Sequence, residues 1–350
     1  MTPAATDASA ELGASFWRAP HRPLMLCAVL AALAGPLLAA ADPQNHARMM
    51  VFGFAGGAIA AYLLTVLPGW TGARASPARV ALLTALWLLG RLLPGPAEAP
   101  FFLLLAATLA PPVLRAQLWD RLWAPLAAVL LALAALLPGL DSGVPPLLIA
   151  ALIAVVGGRA LPSFLASAAR LPQPSDRPLI RIATALYILG AAVLPHPGWY
   201  AAAVAALAWQ MLQWPLRLPP IGLLLLPPWL WLAASLLLMM QWEQQPSLAL
   251  HTLTMGGIGG MIHAFLSRVF ARRTGAGLAA RPTSLAGAAL LHAAVIARLA
   301  EMLPSAHALW GAAWAITLLQ LICHCRQPHR TPVFIGSRSG TASGAGKTKP

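Results

Sequence analysis

This 350-residue chain predicts an all-α fold, a polytopic transmembrane helix bundle of about 12 spans with both termini cytoplasmic. Three observations carry that reading. The chain is 59% hydrophobic and only 9% charged. Its apolar residues run in stretches near the length of a bilayer crossing, and its arginines sort to alternate loops. An ordinary soluble domain carries about a quarter charged residues, and so few charges could not cover a wetted surface. In a bilayer, lipid replaces water and each helix satisfies its own backbone groups.

A crossing takes about 20 apolar residues. Twelve such stretches lie near 23–41, 49–67, 77–94, 100–114, 122–140, 144–164, 178–195, 198–214, 219–241, 247–270, 283–303 and 306–325, separated by short turns that hold most of the charges. The stretch 100–114 is short and contains Pro111 and Pro112, which leaves ten or eleven crossings open. The membrane domain covers 21–326, flanked by small polar tails at 1–20 and 327–350 that are expected to be disordered. A second reading of the N-terminus stays open: Arg18 and Arg22 before an apolar run, then Ala39-Ala40-Ala41, resemble a cleaved leader.

Charge placement tests the count independently, because loops on the cytoplasmic side hold the Lys and Arg. Twelve crossings put Arg18, Arg22, Arg74, Arg79, Arg115, Arg121, Arg159, Arg170, Arg177, Arg181, Arg217, Arg268, Arg272, Arg273, Arg281, Arg326, Arg330, Arg338, Lys347 and Lys349 on one side. Only Arg48, Arg91 and Arg298 fall on the other. The net charge of +14 is therefore a topology signal. A nucleic-acid binder would gather its cations on one soluble surface, whereas here they are spread one or two per loop. No nucleophile elbow, dinucleotide fingerprint or phosphate-binding loop is present.

Three cysteines argue against structural disulfides. Cys27 lies in an apolar stretch. Cys323 and Cys325 flank His324, with His329 nearby, which is either a plain helix end or a soft-metal site.

Ionisable groups are expensive at membrane depth, which makes the histidines functional candidates. His46, His196, His251 and His307 fall toward the outer face, with His263 and His292 inside spans. Two spans share a pattern: His46, Met50, Gly53 and Gly57 in the second, and His251, Met255, Gly256 and Gly260 in the tenth. Glycines at this spacing let helices approach closely, which would bring the two histidine-bearing ends together if the spans touch. His and Met are ligands for haem and copper. They also serve as ordinary packing and hydrogen-bonding groups.

The stretch from His46 to Gly72, with Phe52-Gly53-Phe54 and Leu63-Leu64-Thr65-Val66-Leu67-Pro68-Gly69-Trp70-Thr71-Gly72, closely resembles the NnrS family of membrane proteins. Further matches follow in family order at His21-Arg22-Pro23, at Gly157 to Pro162 with Phe164, at His251 through Gly260 to Arg268 and Thr274-Gly275, and at Arg298. The resemblance implies a multi-pass protein of a bacterial-type inner membrane that contains haem and copper and acts in the response to nitric oxide and nitrosative stress. It implies His46 and His251 as metal or haem ligands and Arg159 and Arg268 as helix-anchoring or site-organising residues, while the His-Met spacing adds Met50 and Met255 as cofactor-binding candidates. Gly53, Gly57, Gly256 and Gly260 would organise the packing. The chain departs from the family where Arg48 and Met49 replace a His and a Glu, where Leu226 replaces a His, and where Arg272-Arg273 replace Gly-His. An arginine stays protonated and ligates no metal. Two other readings stay open, a small-molecule transporter and a divergent member without a cofactor.

Overall fold

The computed structural model describes residues 16–326 except 94, 138–139, 141, 216–220, 242–245 and 275–276. Most of both expected tails therefore lies outside the described residues, as does His329.

Among the described residues twelve helical rods follow one another. They are α1 (His21–Leu38), α2 (Pro43–Thr71), α3 (Pro77–Leu92), α4 (Ala99–Arg115), α5 (Trp123–Leu136), α6 (Val144–Ala169), α7 (Pro178–Val193), α8 (Pro197–Leu212), α9 (Gly222–Met239), α10 (246–270), α11 (Pro282–Leu299) and α12 (Leu303–Cys325). Proline opens many of them, at a position where the missing N–H costs nothing. One short antiparallel ladder, Arg272–Thr274 with Gly277–Ala279, joins α10 to α11.

Among the described residues eight helical stretches are long and apolar enough to cross a membrane, and the protein is multi-pass. The others are α3, α7 and α8, of 16 residues each, and α10, whose apolar run is diluted by His251, Thr252, Thr254, four glycines, His263 and Ser267. At 1.5 Å per residue a 16-residue helix spans about 24 Å, somewhat short of a hydrocarbon core of about 30 Å. Leucines dominate the outward faces, with Leu37, Leu92 and Leu179 each close to four-fifths exposed.

Neighbours in sequence pack as antiparallel pairs, most extensively α9 with α10, α1 with α2 and α11 with α12. The last helix returns to the first, α12 against α1, and α6 touches both α2 and α10. Pro36 shows how proline organises this packing. Lacking an N–H, it leaves the Ala32 carbonyl without its helical donor. The Trp310 indole of α12 fills that vacancy, with Nε1 2.8 Å from the Ala32 oxygen. Trp310 and Trp314, both fully buried, then pack edge-on against Phe54 of α2.

Two of the rods are not uniform. In α2 the α-helical turns Pro43–Arg48 give way to a π-helix over Met49–Ala55 before α-helix resumes at Gly56. In α10 the same order runs Pro246–His251, π-helix Thr252–Gly259, then Gly260–Phe270. π-helical turns are rare and concentrate at functional sites.

Candidate functional site

Both π-helices follow a histidine, and the fold brings those histidines together. The His46 and His251 rings lie 6.4 Å apart between centroids, with their planes 16° from parallel. Each ring is held from behind by a backbone carbonyl. His46 Nδ1 is 2.9 Å from the oxygen of Gly35, and His251 Nδ1 is 2.7 Å from the oxygen of Ser247. A carbonyl only accepts, so Nδ1 carries the hydrogen in both rings and Nε2 keeps its lone pair. Such a backing hydrogen bond also fixes the orientation of a metal-ligating imidazole.

The Gly35 carbonyl is available because α1 ends there, where the Ala39 N–H turns to Pro36 instead. Gly35 serves a second purpose, since the Met50 sulfur occupies the space where a Cβ would stand. Met50 therefore packs on α1 beside His46, and Met255 is buried in α10. Neither Gly35 nor the π-helices was recognised from the sequence, although Gly35-Pro36 inside an apolar stretch is a readable signal of a helix irregularity.

The glycine pairs do not meet each other. Gly53 and Gly57 face Arg91 and Trp87 of α3, with Ala28 and Ala31 of α1 beside them. Gly256 lies under the Trp231 ring of α9, and Gly260 lies against Pro228. The close approaches are helix to side chain, and they place α2 and α10 individually.

All three arginines assigned to the outer side gather at this end. Arg48 and Arg91 both pair with Glu98, which is 1% exposed at the start of α4. Arg91 Nη1 also reaches the Arg48 carbonyl at 3.2 Å, and Trp87 Nε1 reaches the Gly53 carbonyl at 2.9 Å. Helix α3 thus supplies two donors to the backbone along the first π-helix. Arg298 of α11 donates to Ser247 Oγ at 2.8 Å, beside the carbonyl that holds His251. In the sequence these arginines stand out only as exceptions to charge sorting, and nothing there marks Glu98 as their partner.

Of the remaining candidates, His307 lies close enough to His251 for the two rings to interact electrostatically, and the others lie elsewhere. His196 caps α8 by accepting from the Gly198 N–H at 3.1 Å, and His307 is exposed. His263 is buried against Trp314, and His292 accepts from Trp231 Nε1 at 3.1 Å. Arg268 stacks 3.7 Å over the Phe164 ring, and Arg159 Nε lies 3.6 Å from Asp176. Leu226 is half-buried in α9. Cys323 is exposed and Cys325 half-buried, while His324 approaches His21 at 3.3 Å between ring nitrogens. Among the described residues no group of three or more His, Cys, Asp or Glu converges on one point.

The family model of the NnrS protein matches residues 15–328. The chain belongs to the NnrS family. The match covers all twelve rods, so in this NnrS protein the paired histidines and the arginine–glutamate cluster both lie within the family domain. No curated protein matches the chain.

Proposed function

We propose that this NnrS protein crosses a bacterial-type inner membrane twelve times with both termini cytoplasmic, and that it acts in the response to nitric oxide by binding copper between His46 and His251. The single observation that carries the metal reading is the pair of facing imidazoles, 6.4 Å apart, each with Nδ1 tied to a carbonyl. His46 and His251 would hold the metal through Nε2, the ring nitrogen that keeps its lone pair. Imidazole is a good copper ligand, and nearby methionine favours the soft monovalent ion. The donor set therefore fits copper. Imidazole is also a ligand of haem iron, the second cofactor that the family resemblance implies.

When bound, copper would supply a soft centre for a small uncharged ligand such as nitric oxide. The chain does the rest. Gly35 and Ser247 hold the imidazole tautomers, Arg298 steadies Ser247, and the cluster of Arg48, Glu98 and Arg91 anchors the start of the first π-helix. Arg48 stands where the family places a histidine, which removes one donor from this end.

Copper analysis of the detergent-solubilised protein, with X-ray absorption at the copper edge, tests the reading. Wild type should retain copper with nitrogen scatterers, and its edge should change when nitric oxide is added. His46→Ala and His251→Ala should each lose most of the metal. Unchanged copper in both variants removes these residues from the site.

A further inference from the structure

We propose that the end of the bundle opposite His46 and His251 holds a binding site for a phosphate-bearing anion, built from Arg159, Arg177, Arg181 and Gln213. This does not depend on the copper reading.

A cavity of about 210 Å³ opens there between the C-terminal half of α6, the start of α7, the end of α8 and the loop before α7. Its lining contains three arginines and one carboxylate, Asp176. Arg181 is only 8% exposed. Its Nη1 donates to the Val155 carbonyl at 2.9 Å and its Nη2 pairs with Asp176 at 2.7 Å, while its Nε is buried without a partner. Arg159 shares Asp176 at 3.6 Å and is half exposed, and Arg177 is exposed on the rim. The Gln213 amide nitrogen is a second buried donor without a partner.

A buried donor left unpaired costs about 1–3 kcal/mol, so two of them in one polar cavity, against the single unpaired acceptor Gln210 Oε1, point to a missing partner richer in acceptors than in donors. One carboxylate shared between two guanidinium groups leaves the cavity an excess of positive charge. The acceptor is therefore an anion. Arginine forks match phosphate oxygens, which accept several donors at once.

The chain is shaped for this. Gly158 is the position where α6 is crossed, since a Cβ there would stand 2.2 Å from Gln210 Oε1 and 2.9 Å from Arg181 Cγ. Gln210 is fixed by donating to Thr184 Oγ1 at 2.6 Å, and that hydroxyl in turn donates to Ile180. A second basic hollow, lined by Arg74, Arg79 and Arg115, has only exposed arginines and provides a control.

Two sources offer the same chemistry, an anionic phospholipid headgroup and a free phosphate. Full-length protein in neutral detergent would be offered phosphatidylglycerol or phosphatidylcholine and weighed by native mass spectrometry. In parallel, its melting would be followed with sodium phosphate against sodium chloride at equal ionic strength. Phosphatidylglycerol retained in preference to phosphatidylcholine identifies the headgroup, and a phosphate-specific rise in melting temperature identifies the free anion. The double variant Arg159→Gln/Arg177→Gln spares the buried Arg181 and should weaken whichever ligand binds by about tenfold or more. Arg74→Gln/Arg79→Gln should leave it unchanged. Equal binding by wild type and the first double variant overturns the proposal, as does the absence of any preference for phosphatidylglycerol or phosphate.

Discussion

Glu98 has almost no water to stabilise its charge, so its ionised form depends on Arg48 and Arg91. Removing one member of a buried ionic group leaves the others uncompensated and costs about 3–5 kcal/mol. Glu98→Gln should lower stability by that order, seen as a marked drop in the melting temperature of the detergent-solubilised protein. An unchanged melting temperature would mean that water reaches the cluster. At this scale the sequence was partly legible. Arg48, Arg91 and Arg298 stood out because they broke the charge sorting, and each does reach the histidine end. Their partner was not legible, because Glu98 lies 50 residues from Arg48 and only the fold brings α2 and α4 together. The two carbonyls behind the histidines were equally hidden, since a backbone oxygen becomes available through local helix geometry that no side-chain pattern spells out.

Among the elements, the π-helical segments of α2 and α10 depend on neighbours that fill the space above their glycines. A Cβ at Gly256 would stand 2.7 Å from Trp231 Cγ, and that ring also donates to His292. Gly256→Ala should therefore destabilise by about 1–3 kcal/mol. Gly311→Ala in α12, where a Cβ would meet nothing within 4 Å, should stabilise by about 0.5–1 kcal/mol. Comparing the two melting temperatures checks both signs. The helices themselves were readable from hydropathy, because lipid imposes an apolar length on each. The π-helical turns were not. Inserting a wider turn into a segment that is apolar on every side shifts no boundary between polar and apolar faces, so composition and period stay the same.

The whole molecule shows its topology through its end contacts. His46, Arg48, Ser247 and Glu98 begin their rods or lie just before them, while Gly35, Arg91, Ala135 and Arg298 lie toward the ends of theirs, and all meet at one end of the bundle. Arg22 and Cys325, from the start of α1 and the finish of α12, meet at the other. Rods that alternate in this way agree with twelve crossings. Reporter fusions after Arg170 and Arg273 should read as cytoplasmic, and fusions after Leu194 and Glu301 as outside. A fusion after Arg273 that reads as outside would break the count. The order of antiparallel neighbours was legible from the short turns. The meeting of α2 with α10 was legible only as a condition, from their shared His, Met and Gly pattern, and that of α1 with α12 was not, because faces that are apolar all round do not specify distant partners.

That closing contact sets a timetable for biogenesis. Helix α1 leaves the ribosome long before α12 and gains the Trp310 donor for its Ala32 carbonyl only when α12 has been synthesised. Until then a proline-broken segment waits in the membrane with an unsatisfied oxygen. Chains cut short before α12 should accordingly be inserted but never sealed, and become early targets for membrane proteases.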